Sequence, residues 1–201
     1  ITSILFMGVD KRNLEEQNAE GTGGQADAIV VIALDTDTGE MKMLALPRDL
    51  MTEVATYTPG GAYAGMQADT QLCLAYAYGD GKESSCENQL ATVRHLLYNV
   101  PINTYYALDL DGISSVNDSV GGVDVVSSET IESFVKGQSY HLVGQQAERF
   151  VRARDDRLIE ASLLRLERQK IYARSFLKTM SSAVKKEMST AMNVFNQSAP
   201  Y

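Results

Sequence analysis

The chain has 201 residues, 44% of them hydrophobic, and a formal net charge of -8. That suits one globular domain with a sizeable core and excludes a general nucleic-acid binder, which needs a basic surface to release counterions from phosphates. No run of eighteen or more apolar residues occurs, so no membrane-spanning helix or signal peptide is expected within it.

Taken in order, Ile4 to Val9 is a continuous apolar run that reads as a buried strand ending in Asp10. A polar, Gly-rich stretch from Lys11 to Gln25 follows. Ala28 to Leu34 and Met41 to Leu46 flank Asp35-Thr-Asp-Thr-Gly39, a hairpin signal, and Pro47 stops the second strand just before Arg48-Asp49. Pro59 to Asp69 reads as loop. Glu87 to Tyr98 places Leu90, Val93 and Leu97 on a helical face, and Ile102 to Leu108 is the next strand.

A short helix follows, capped at Asp109 or Asp111 and closed by Gly121-Gly122 before a strand over Val123 to Val126. Small helical spacing spans Gly144 to Val151. A long helix runs from about Ile159 to Met180, with a break near Ser181-Ser182 and a helical extension over 181–201. Alternating strands and helices predict an α/β sandwich around a mixed sheet, as one domain with its core at about 4–180.

The charge is unevenly placed. From Arg149 to Lys178 there are nine Lys or Arg and four acids, a local balance of +5 that leaves -13 for the rest. A basic cluster on an acidic protein points to a small anionic ligand. If Arg152-Ala-Arg154 is extended, its two arginines point the same way. In the helix after it, Arg165, Arg168, Gln169 and Tyr172 share a face. Arginine forks bind phosphate oxygens in pairs, so four around one cleft would suit a diphosphate; the plain alternative is a solvated, salt-bridged helix.

Two carboxylates stand at strand ends, Asp10 after the first and Asp27 before the second. Mg²⁺ takes a few carboxylates together with phosphate oxygens and water, so the pair makes a sensible phosphoryl-transfer site; taken singly, each Asp also suits a turn or cap. Other motifs carry less. Gly21-Thr-Gly-Gly24 lacks the Gly-Lys-Ser/Thr of a P-loop, and Ser182-Ala-Val-Lys185 lacks the partners of a Ser-x-x-Lys enzyme. Cys73 and Cys86 are the only cysteines, with no CxxC and only His95 and His141 as imidazoles, which argues against zinc. A disulfide between them suits an oxidising exterior, and two buried free thiols are the open alternative.

Several short motifs stand in one order: Gly8-Val9-Asp10-Lys11-Arg12, Asp27, Leu46-Pro47-Arg48-Asp49, Ala75-Tyr-Ala-Tyr-Gly79, Val100-Pro-Ile-Asn-x-Tyr105, Gly121-Gly-Val123, Leu142-x-Gly144-x-x-Ala147, Arg152-x-Arg154 and Arg165-x-x-Arg168-Gln169. In that order the chain resembles LytR-CpsA-Psr domains over roughly residues 4 to 176. The resemblance implies a three-layer α/β/α sandwich with a central mixed β-sheet and a hydrophobic pocket for a polyprenyl tail, opening on a charged mouth that holds pyrophosphate and Mg²⁺. By position, Asp10 and Asp27 match the metal-proximal carboxylates. Arg48, Arg152, Arg154, Arg165 and Gln169 match the phosphate-contacting set, with Arg12 where a basic residue is usual and Arg168 on the same helix face. Asp10, Arg48 and Arg154 are the catalytic candidates.

The activity so implied is Mg²⁺-dependent transfer of an anionic glycopolymer, of teichoic acid or capsule type, from a polyprenyl-pyrophosphate carrier to peptidoglycan, with a pyrophosphatase side reaction. It implies an extracytoplasmic protein held at the membrane by an N-terminal anchor absent from this chain, in a family once labelled a transcriptional attenuator. Departures from the pattern are Gln25 where Arg is common, Gln71 near a usual Lys, and Ser162 where an Asp often stands. They leave open a catalytically weak polyprenyl-pyrophosphate binding module or a regulator of cell-envelope maintenance. A DNA-binding regulator is disfavoured by the acidic charge and the lack of a helix-turn-helix pattern.

Overall fold

A computed structural model describes residues 1–12, 24–58, 62–155, 157–186 and 194. The chain is divided into two compact units, Ile1–Asp109 and Leu110–Tyr201, where composition suggests one domain.

The first unit is built from β1 (Thr2–Val9), β2 (Ala26–Leu34), β3 (Met41–Leu46), β4 (Met51–Tyr57), β5 (Tyr63–Gln71), α1 (Leu74–Ala77), α2 (Glu83–Leu96) and β6 (Thr104–Leu108). Its main sheet has the order β3-β2-β1-β6. β1 and β2 pair antiparallel, as do β2 and β3, while β1 runs parallel to β6, so the sheet is mixed as expected. The β2–β3 turn closes because Asp35 Oδ1 accepts from the backbone N–H of Asp37 and Thr38 at 2.9 and 3.2 Å, a local bond that Asp makes readily. Those donors also hold the Asp35 carboxyl below its usual range.

Alternation along β1 buries Leu5, Met7 and Val9 against Ile29 and Val31 of β2 and against Leu90 and Val93 of α2. The other face of the sheet carries Ile4, Phe6, Val30, Ile32 and Met43, all partly exposed, with Phe6 stacked on Tyr106 at 6.1 Å. One structural finding departs from the pattern read in the sequence. The stretch expected as loop up to Asp69 is strand from Tyr63 onward, paired antiparallel with β4. Of its described side chains only Val54 in β4 and Thr70 in β5 are buried, so backbone pairing holds a hairpin that hydrophobic alternation does not announce.

The second unit comprises α3 (Leu110–Ser119), β7 (Val123–Val126), β8 (Ser139–Leu142), α4 (Gln145–Arg152) and α5 (Ala161–Lys186). Gly121 and Gly122 end α3 with φ of 84° and 87°, a left-handed backbone that glycine adopts at no steric cost. β7 pairs with β8, a strand the sequence pattern did not reveal. Val123, Val125, Phe134, Leu142, Ala147 and Phe150 form the core, with Phe134 edge-on to Phe150 at 5.1 Å. Tyr172 of α5 donates to Asn117 Oδ1 at 3.1 Å, and Asn117 Nδ2 donates to the Leu142 carbonyl at 2.9 Å. α5 runs through Ser181-Ser182 without the expected break, and Ser182 Oγ bonds back to the Lys178 carbonyl at 3.0 Å. Of the expected extension over 181–201, the residues beyond Lys186, apart from Val194, lie outside the described residues, as do 13–23 of the Gly-rich stretch.

Both cysteines are free and buried, so the disulfide expected between them is not formed. Their surroundings differ: Cys73 Sγ lies 3.7 Å from Gln25 Oε1, whereas Cys86 packs in the α2 core. Burial raises both thiol pKa values, that of Cys86 to about 12 with the Asp80 carboxylate adding to it. The thiol form therefore persists far above neutrality, and only the thiolate reacts. Alkylation by iodoacetamide at pH 8 should be at least about tenfold slower in the native protein than in denaturant for both residues. Peptide mass spectrometry finding equal rates, or a cystine peptide, would contradict this.

Candidate active site

Three elements bring the first group of candidate residues to one end of the main sheet. β1 ends at Val9 opposite Ala26, where a bulge sets Asp27 at the start of β2. The Asp10 backbone N–H donates to the Gln25 carbonyl at 2.9 Å, so Asp10 and Gln25 stand across from each other. Ile29 pairs with Leu46, which carries the chain into Pro47-Arg48 at the same end.

The Arg48 guanidinium lies between two acceptors. Nη1 donates to Asp27 Oδ1, and Nη2 donates to Gln25 Oε1 at 2.5 Å. Asp49 Oδ1 lies 3.3 Å from Nε. Backbone bonds fix this group from below: the Cys73 N–H donates to the Arg48 carbonyl at 3.0 Å, and the Ala26 N–H to the Cys73 carbonyl at 3.4 Å. Cys73 is held in turn by α2. Gln89 Nε2 donates to the Leu72 carbonyl at 3.1 Å and its Oε1 accepts from the Tyr76 N–H at 3.1 Å. Asn88 Nδ2 reaches the Ala75 carbonyl at 2.6 Å and the Ala55 carbonyl at 3.1 Å. Gln89, bonded through both its amide atoms, and the Nδ2 of Asn88 thus tie α2 to the segment on which the Arg48 carbonyl rests.

Asp27 and Arg48 are 20% and 17% exposed in their side chains, and Asp10 and Arg12 are exposed. A third aspartate, Asp109, follows β6 at this end, since Gly8 of β1 pairs with Leu108, and it is buried. Among the described residues no three His, Cys, Asp or Glu side chains converge as a metal cage. Mg²⁺ does not need one, because it keeps waters and phosphate oxygens around one or two carboxylates. The oxygen donors of Asp10 and Asp27 fit that habit.

The second group lies in the second unit, and its geometry differs from the spacing argument. Arg152 is the last residue of α4, not part of an extended pair: its Nη1 lies 3.0 Å from Glu148 Oε1, four residues earlier on the helix. The chain becomes extended only at Ala153, with φ -45° and ψ 133°. Arg152 and Arg154 are exposed, Arg165 is 7% exposed, and Gln169 is half-buried with its Nε2 3.4 Å from the Val151 carbonyl.

Arg168, expected as a phosphate ligand, is fully enclosed. Its Nε donates to the Phe150 carbonyl at 2.8 Å, Nη1 to Glu129 Oε1 and Nη2 to the Ala153 carbonyl. Burial pulls its pKa down against the counter-effect of Glu129. All three nitrogens are committed to protein, so Arg168 offers a ligand nothing in this arrangement. The reading from charge alone missed this because its partners lie far off in sequence. A signal was available: Arg168 stands four and eight residues before Tyr172 and Phe176, which pack on the core.

Residues 1–199 match the family model of the LytR_cpsA_psr family. The chain is 34% identical over 194 residues to the polyisoprenyl-teichoic acid–peptidoglycan teichoic acid transferase TagV of Bacillus subtilis, covering 90% of this chain and 44% of that protein. The chain therefore spans less than half the length of this relative. The crystal structure of B. subtilis TagV superposes with a TM-score of 0.71 at 28% identity, covering 96% of this chain and 70% of that one. The protein gbs0355 from Streptococcus agalactiae superposes with a TM-score of 0.76 at 21% identity, covering 98% and 66%. With a mixed sheet and a family model that matches residues 1–199, this protein belongs to the LytR-CpsA-Psr family.

Proposed function

We propose that this chain transfers a glycopolymer of teichoic acid type from a polyprenyl-pyrophosphate carrier to a peptidoglycan acceptor. The observation that carries the reading is the Asp27–Arg48–Gln25 group at the sheet end. It stands in a chain one third identical to a protein named as a teichoic acid transferase. The setting would be extracytoplasmic, at a membrane surface where such a carrier resides.

In this reading Arg48 trades its carboxylate and amide partners for phosphate oxygens, which its planar fork suits better than a lysine would. The Arg48 guanidinium stabilises charge as it develops on the diphosphate. In the second unit, Arg152 and Arg154 present two exposed guanidinium groups that suit an anion in their own right. An acceptor hydroxyl attacks the phosphorus next to the glycan, the bond from that phosphorus to the bridging oxygen breaks, and prenyl monophosphate leaves. The hydroxyl proton goes to a carboxylate at the sheet end, Asp10 or Asp27, Asp10 being the more exposed of the two and a weaker base while it also ligates metal. When bound, Mg²⁺ supplies further neutralisation of the phosphate oxygens, with Asp10 and Asp27 as its protein ligands. The partly exposed face of Ile4, Phe6, Val30 and Ile32 is suited to an apolar tail, each buried CH₂ of which is worth about 0.8 kcal/mol.

The test is turnover. Incubation with a synthetic prenyl-diphosphate disaccharide, a peptidoglycan fragment and Mg²⁺ should yield prenyl monophosphate and a glycan-phosphate-peptidoglycan product, separated by chromatography. Saturable binding without either product would instead favour the binding module that Gln25, in place of a common arginine, leaves open. No binding at all would overturn both.

A further inference from the structure

Helix α4 ends against α5 in an unusual way. The last carbonyls of a helix have no donor of their own. Here three from this stretch face side chains of a single turn of α5: Phe150 and Ala153 accept from Arg168, and Val151 lies at 3.4 Å from Gln169 Nε2. The Ala153 N–H still bonds to the Arg149 carbonyl at 2.9 Å, so the helix closes there. At that point the chain turns extended and carries Arg154 out to the surface one residue later.

The guanidinium that makes these contacts is oriented in its turn. Glu129 accepts from its remaining nitrogen, with the Arg168 side chain 1% and the Glu129 side chain 16% exposed. A buried charge of this kind is costly unless paired and hydrogen-bonded. A methionine or leucine could fill the same volume beside Phe150, but neither could hold the two carbonyls on either side of the turn where α4 gives way to extended chain.

We propose that Arg168, oriented by Glu129, is a positioning residue that fixes the α4-to-extended turn and thereby aims Arg152 and Arg154 at an anionic ligand. This rests on the reading of Arg152 and Arg154 as phosphate-binding. Its specific content is that Arg168 contributes to binding only through them.

The test is a double-mutant cycle on the intact chain, with a short-chain prenyl diphosphate as probe and calorimetry as readout. Arg168→Lys keeps the charge but loses the fork. It should weaken binding roughly tenfold or more, while circular dichroism below its thermal midpoint shows a folded protein. Arg168→Lys combined with Arg154→Ala and Arg152→Ala should bind no more weakly than Arg154→Ala with Arg152→Ala alone. Glu129→Gln, which removes the orienting charge while sparing the carbonyl contacts, should reproduce part of the loss and keeps the question open to measurement where Arg168→Lys does not fold. Wild-type affinity in folded Arg168→Lys or Glu129→Gln, or losses that simply add to those of the arginine pair, would overturn the inference. Wild-type affinity in the Arg152→Ala, Arg154→Ala protein would instead show that the phosphate reading itself has failed.

Discussion

Arg48→Ala is expected to weaken binding of a prenyl diphosphate by about 1.5–3 kcal/mol, roughly 10- to 150-fold, the range for a lost charge-assisted hydrogen bond. Stability should fall as well, by about 1–3 kcal/mol, because Asp27, only 20% exposed, loses its partner and regains water in part. The backbone bond from Cys73 to the Arg48 carbonyl survives the change, so the loop stays in place. Arg48→Lys should recover only part of the affinity, since an ammonium cannot reproduce the fork. Calorimetry alongside thermal unfolding separates the two effects: unchanged affinity with a large drop in midpoint would make Arg48 a structural residue.

Gly79→Ala should be among the most damaging single changes in the first unit. A Cβ at this position would lie 2.4 Å from both the Cα and the N of Ser85, and those are backbone atoms in the first turn of α2. Relief requires moving α1 away from α2. Ser85 Oγ accepts from the Gly81 N–H at 2.8 Å and the Tyr76 hydroxyl donates to the Gly81 carbonyl at 3.0 Å, so the shift would disturb bonds on both sides. A loss of about 3 kcal/mol is expected for overpacking of this kind, lowering the midpoint by roughly 6–12 °C. A midpoint within about 2 °C of the parent would show that α1 gives way cheaply.

How much of this was legible in the sequence differs from element to element. β1, β2 and β3 could be read directly, because continuous apolar runs and an Asx turn announce them. The β4–β5 hairpin could not, because its described strands bury hardly any side chain and a sequence pattern records burial, not backbone pairing. β8 is as short as β7 but reads Ser-Tyr-His-Leu, without the valines that mark β7.

The site divides in the same way. The placement of Arg48 and Asp27 at one end of the sheet was legible because strand ends and a proline mark where the sheet stops. Arg152 was misplaced because Arg-x-Arg spacing fits a strand as well as the end of a helix. What decided the matter is the bond from the Ala153 N–H to the Arg149 carbonyl, which extends α4 through Arg152. The enclosure of Arg168 depends on Glu129, 39 residues away, and no local pattern carries that information.

The mixed sheet also has a consequence for the order in which the first unit assembles. β1, β2 and β3 are joined by near neighbours in the chain, but β1 pairs on its other side with β6, Ile4 opposite Thr104. Ser3 is fastened to Asn103 by the bond from its N–H to Asn103 Oδ1 at 2.7 Å. Closing a loop of that span is paid for before the parallel ladder returns anything. The three-stranded meander can therefore form while the chain is still short, whereas β6, and the position of Asp109 beyond it, must wait until about 110 residues are available. During synthesis the β6 edge of the sheet is the last part of this unit to be completed, and the parallel seam between β1 and β6 is expected to be its slow step.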